Sequence, residues 1–178
     1  MVGWNTSKVP DIFATSLTSE FGAGHFGLVT PEEDIPVEEE AFYAGIFEGF
    51  YVEPGAEGEN FIGEATGVAE FTANFGDMSV MGGARGISVV DSDAGGNIDF
   101  AEVVISGNTF SGDVVPGEGG FAEFHEDSRG AVDGTFYGPV NGSLNGPEEA
   151  GAVLTLRDAG SGAFITGVIG ANVVAPDL

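Results

Sequence analysis

The sequence predicts an all-β fold: an eight-stranded antiparallel barrel, closed or nearly closed, preceded by a mostly irregular N-terminal arm. Three observations predict it. Glycine makes up 31 of the 178 residues, more than twice the usual share of about 7%, and is interleaved with Val, Ile, Phe and Thr rather than gathered in a block. Strand-like stretches recur with connections of hairpin length between them. Glycines such as Gly45, Gly49, Gly63, Gly67 and Gly167 fall inside those stretches, as expected where a strongly curved sheet bends or packs closely.

Residues 1–40 differ in texture from the rest of the chain and read as an arm ending in an acidic linker. In "TPEEDIP", Thr30 is placed to cap a helix, with Pro31 and Glu33 behind it. Pro36 limits that helix to one turn. "PVEEE" then leads to a boundary near Glu40, and residues 41–178 form the barrel domain. Its predicted strands are Phe42–Val52, Phe61–Asn74, Met78–Val90, Asn97–Ser106, Asn108–Val115, Gly130–Tyr137, Ala150–Leu156 and Ala163–Ala171. The connections "EPGAEGEN", "FGD", "SDAGG" and "SGN" carry Gly, Asn or Asp where a turn needs a positive φ. Tyr43, Phe47, Phe71, Phe136 and Leu154 are the expected core.

The charge is extreme: 29 acidic residues against four basic ones, formally −25. Such a field repels phosphate backbones and anionic lipid, so nucleic acid is excluded as a partner. It also keeps a β-rich chain soluble and discourages pairing between sheet edges. With no cysteine, there is no disulfide, thiol nucleophile or lipidated cysteine. No apolar run approaches the ~18 residues of a membrane helix, and no basic-then-apolar leader is visible at the start. An export signal was removed, or the chain travels by another route.

Several motifs invite chemistry. "GAGHFG", from Gly22 to Gly27, has the dinucleotide-loop spacing, but "LVTPEEDIP" cannot supply the helix that must come after it. "DSDAGGNIDFAE" sets Asp91, Asp93, Asp99 and Glu102 at positions 1, 3, 9 and 12 of a calcium loop, with Gly96 at the sharp turn. Neither flank is good helix material, and Gly95 brings no ligand at position 5, so no calcium site is favoured there. His25 and His125 are not paired at metal-ligand spacing. His125 stands beside Asp127 and Ser128, yet adjacency in sequence does not make a triad. Glu123, Glu126 and Asp127 among so many acids carry almost no catalytic signal, and no nucleophile elbow is present. His125, Tyr137 or a methionine is a formal axial ligand for haem. The expectation is therefore a protein that is not an enzyme and needs no cofactor.

The region 42–171 resembles the β-barrel domain of the transferrin-binding-protein-B-like surface proteins, a group that includes the factor-H-binding-protein-like and haemophilin-like barrels. The likeness is carried by "GEATGVAEFTANFGD" at Gly63–Asp77, "ISGNTFSG" at Ile105–Gly112, "GTFYGP" at Gly134–Pro139 and "GVIGA" at Gly167–Ala171. Ile169 stands where the family has Phe, and Ala150-Gly151 follows Asn145–Glu149 where Gly-Gly is the rule. The resemblance implies an eight-stranded barrel exported to a bacterial surface or beyond it, acting as a non-catalytic binding module. It also implies a short helical link after the Phe-Tyr-Gly-Pro turn, and a strand running through Glu102. A protein partner is expected at the loops holding Glu57, Glu59, Glu123 and Glu126, or at the arm. Two alternatives stand beside this reading. One is a structural subunit of a particle or filament, with the arm threaded onto a neighbour. The other is a barrel that holds haem or Ca2+.

Overall fold

A computed structural model describes residues 24–55, 58–121 and 124–175. Eight strands form one closed antiparallel barrel in chain order: β1 (Glu40–Pro54), β2 (Asn60–Asn74), β3 (Ser79–Val89), β4 (Gly95–Ser106), β5 (Thr109–Phe121), β6 (Arg129–Asn141), β7 (Gly146–Arg157) and β8 (Phe164–Val174). Closure comes from β1 pairing with β8 from Phe42↔Val174 to Val52↔Phe164. All the predicted strands are present, most of them longer than expected.

Alternation decides which side chains fill the lumen. Tyr43, Phe47, Phe71, Phe136 and Leu154 are each at most 1% exposed. Towards one end, Tyr43 stacks on Phe71 with centroids 5.1 Å apart, and Phe110 and Phe75 pack against Phe136 at 5.2 and 5.4 Å. Towards the other, Phe121 and Phe124 meet at 4.8 Å beside Tyr51 and Phe61. Ala65, Ala69, Ala84 and Ile165 also line this core. Tyr43 keeps its hydroxyl satisfied by donating to the Pro147 carbonyl at 3.0 Å, and burial drives its pKa far up. An apolar lumen inside a wall bearing Glu64, Glu70 and Asp133 reverses the pattern of a lipid-facing barrel. Among the described residues, no helix is long and apolar enough to cross a membrane.

The in-strand glycines sit where the strands crowd. A Cβ on Gly134 would lie 2.1 Å from the ring of Phe110, its cross-strand partner, so the ring covers the bare backbone. Gly167 faces Gly49 and carries the Phe47 ring in the same manner.

Three local expectations are corrected. Thr30 does not cap the single 3-10 turn at Glu32–Asp34, whose cap position is Pro31. Instead Thr30 is buried and its Oγ1 donates to the Gly138 carbonyl at 2.7 Å. No helical link comes after Tyr137. Gly138, with φ 79°, lies within a register shift between Tyr137 and Val140, so β6 passes Pro139 and continues to Asn141. Finally, β5 does not stop at Val115. It runs past Pro116 to Phe121, beyond its last pairing with β6 at Val114↔Gly130, where a proline removes no ladder bond on that side.

Candidate recognition surface at the loop end

An up-and-down barrel sends alternate connections to opposite ends. Connections 55–59, 90–94, 122–128 and 158–163 lie at one end, called here the loop end. The shorter connections 75–78, 107–108 and 142–145 lie at the other, together with the start of β1 and the end of β8. This arm end is partly covered. The segment before β1 pairs with the part of β6 that overhangs β5: Val29 bridges Tyr137, Thr30 N–H donates to Phe136 O at 3.1 Å, and Gly138 N–H donates to Leu28 O at 2.8 Å. Asn108 in the β4–β5 turn donates to the Thr30 carbonyl at 2.9 Å.

The loop end is organised around Asp158, which is 2% exposed. Its Oδ1 accepts from the His125 backbone N–H at 2.8 Å and from Ser128 Oγ at 2.9 Å. Its Oδ2 accepts from Gly160 N–H at 3.0 Å and from both the N–H and the hydroxyl of Ser161, at 2.5 and 2.7 Å. One carboxylate thus fastens the β5–β6 loop to the β7–β8 loop. Donation from the His125 backbone first, then from Ser161, holds the Asp158 carboxyl well below the usual range, against the opposing pull of burial. Ser128, His125 and Asp158 lie close together but are not a nucleophilic triad. The buried Ser128 hydroxyl donates its hydrogen bond to the carboxylate, and Asp158 accepts from the His125 backbone rather than orienting the ring. Beneath the clamp, Phe121, Phe124, Tyr51 and Phe61 close the lumen.

The residues named from sequence are spread over the molecule. Glu59 and Glu126 are exposed in two loops of this end. Glu57 and Glu123 lie outside the described residues, within the same two connections. Asp91 and Asp93 are exposed in the β3–β4 turn of the same end. Asp99 lies within β4 and is held by Arg85, whose Nη2 is 2.5 Å from its Oδ1, while Nη1 donates to Ile98 O at 2.9 Å. Glu102 sits further along β4, at a bulge with φ 53°. The four carboxylates of the calcium pattern are therefore spread along a hairpin arm instead of wrapped round a point. Among the described residues, no three His, Cys, Asp or Glu side chains converge as a metal-binding group. The formal haem ligands are also dispersed: His125 is at the loop end, Tyr137 is under the arm at the other, and Met78 and Met81 are exposed.

Sequence reasoning missed Asp158 altogether. The available signal was "RDAGSGA", in which an Asp precedes Gly and Ser at the spacing of a side-chain-capped turn. Nothing local pointed to the partners Ser128 and His125, about thirty residues away in sequence.

No protein-family model matches the chain, and comparison with curated proteins finds no match. Comparison with solved structures finds the barrel. Transferrin binding protein B of Haemophilus parasuis, described as a vaccine antigen, matches with TM-score 0.56 and 20% identity over 84% of this chain and 29% of that one. Transferrin binding protein B of Neisseria meningitidis matches with TM-score 0.55 and 25% identity over 82% and 28%. The intact Ap-TbpB, with its N and C lobes, matches with TM-score 0.54 and 21% identity over 82% and 28%. The chain spans less than a third of the length of each. By fold, then, this chain is an eight-stranded barrel of the transferrin binding protein B type.

Proposed function

We propose that this chain is a non-catalytic binding module, displayed on or released from a bacterial surface, that recognises a protein partner through its loop end. The observation that carries the reading is the gathering of the four longer connections at one end of a packed barrel. Loops on a closed ladder vary without disturbing it, so recognition belongs there. The Asp158 clamp supports the same view, because joining two loops before a partner arrives lowers the ordering cost of binding. The neighbours in structure are named for binding transferrin, not for a reaction. With Glu59, Asp91, Asp93, Glu126 and Asp127 exposed on this end, the favoured partner surface is basic or neutral, and attraction speeds encounter at low salt.

The test is site-specific photo-crosslinking in the producing cells. Crosslinkers replace Glu59 or Glu126 at the loop end, and Ile46 or Val68 on the outer wall. One partner captured from both loop positions and from neither wall position is the expected result. With that partner in hand, Glu59→Lys combined with Glu126→Lys slows association and leaves the fold intact. Contacts confined to the strand walls, or a turnover abolished by substituting one side chain, would refute the reading.

A further inference from the structure

The Gly24–Thr30 segment crosses the outside of β6 and β7 in a way that ordinary packing does not explain. Its large apolar side chains are left well exposed: Phe26 55%, Leu28 82% and Val29 44%. Little apolar burial therefore holds it in place, and polar contacts must do so. Thr30 and the backbone bridge fasten one end of the segment. At the other end is His25, half-buried, with Nδ1 2.6 Å from the Tyr137 hydroxyl and its ring edge-on to the Tyr137 ring at 5.7 Å.

The barrel wall is shaped for this imidazole. A Cβ on Gly151 of β7 would come within 2.8 Å of His25 Cβ and 3.0 Å of its Cγ, and a Cβ on Gly27 would strike the Tyr137 ring at 2.8 Å. The backbone of Asp133 also acts on the ring, favouring its protonated form. In the neutral ring protonated at Nε2, Nδ1 accepts from the Tyr137 hydroxyl.

We propose that Gly24–Thr30 is a pH-sensitive latch, closed over the β6 overhang while His25 is neutral and released when it is protonated. The titratable groups on the packed strands are Asp133 and Tyr137 of β6 and Glu148 and Glu149 of β7. Burial opposes the imidazolium, whereas the Asp133 backbone favours it. Burial is the larger effect, and the His25 pKa lies below the ordinary value. That lowering sets the direction of the switch. A group with a lowered pKa in the closed state contributes to closure fully above its free value, about 6.5, and the contribution is lost as pH falls through the closed-state value. Opening exposes Phe136 O and Gly138 N–H, an edge of the kind that pairs with another strand.

Amide hydrogen exchange of the full chain tests this, with rates corrected for the intrinsic effect of pH. From about pH 7.5 to about pH 5.5, the Thr30 and Gly138 amides lose protection while amides of the β1–β8 ladder do not. His25→Gln removes that pH dependence. Unchanged protection of the two amides in the wild-type chain overturns the latch, and so does an equal loss in His25→Gln. If His25→Gln is unprotected at every pH, the ring titration followed by NMR decides: a His25 pKa below that of a free histidine upholds the proposal, and one at or above it overturns it.

Discussion

Replacing Asp158 tests whether the loop end is held by one carboxylate. In Asp158→Ala, the Ser128 hydroxyl, which is 0% exposed, and the His125 N–H lose their acceptor, whereas the donors at Gly160 and Ser161 are nearer to water. A buried donor left unmade costs about 1–3 kcal/mol; Ser128 is fully buried and the His125 bond part-buried, so the variant loses about 2–4 kcal/mol. At about 2–4 °C per kcal/mol for a domain of this size, Tm falls by roughly 4–16 °C. Asp158→Asn keeps one accepting oxygen but turns an NH2 towards other donors, and is expected to fall between alanine and wild type. Because hydrogen bonding lowers the Asp158 pKa, its stabilisation is present above the unfolded value of about 3.9 and is lost as pH falls through the folded one. Urea unfolding from neutral pH downwards should show the gap between wild type and Asp158→Ala constant above about pH 5 and closing in acid. A variant within about 1 kcal/mol of wild type, smaller than one buried unmade bond usually costs, would refute the clamp, as would a gap that persists unchanged into strong acid.

Gly134→Val drives a side chain into the Phe110 ring and should cost at least about 2 kcal/mol in chemical denaturation, while Gly142→Ala, which meets nothing within 4 Å, should be neutral. Calcium should not raise Tm beyond an ionic-strength-matched sodium control. A true site at hundredfold excess over Kd would add about 2.7 kcal/mol, and a rise abolished by Asp91→Ala with Asp93→Ala would establish one. Thr30→Val removes the bond to the Gly138 carbonyl and should lower stability by about 1 kcal/mol, with faster exchange of the Gly138 amide. Deleting residues 1–31 should leave cooperative unfolding with a lower midpoint, and a truncated chain without a cooperative transition would make the arm an integral part of the barrel.

The strands were legible because their information is local. Alternation such as Val68-Ala69-Glu70-Phe71-Thr72-Ala73 sends Ala69, Phe71 and Ala73 to the lumen whatever the neighbouring strand is. Glycine at turns and at crowded positions is likewise a requirement of the backbone itself. The sequence motifs of transferrin-binding-protein-B-like barrels pointed to the closed topology that the structure shows. The calcium pattern, which its flanks had already disfavoured, shows why spacing alone is a weak signal. Its spacing was right for a loop, but Asp99 and Glu102 were claimed by β4, where one pairs with Arg85 and the other occupies a bulge. Spacing along a chain equals spacing round an ion only if the chain curls, and a strand does not.

By itself, then, the sequence determined the β class, the eight strand segments and five residues of the core, since each arises from period, turn chemistry and side-chain volume within a short window. Only the tertiary structure decided which connections share an end, that Asp158 is the residue binding two of them together, and that His25 and Thr30 fasten the arm to β6. Those are meetings between residues 30 or more positions apart. Such meetings depend on strand register and barrel closure, and closure is a property of all eight strands at once.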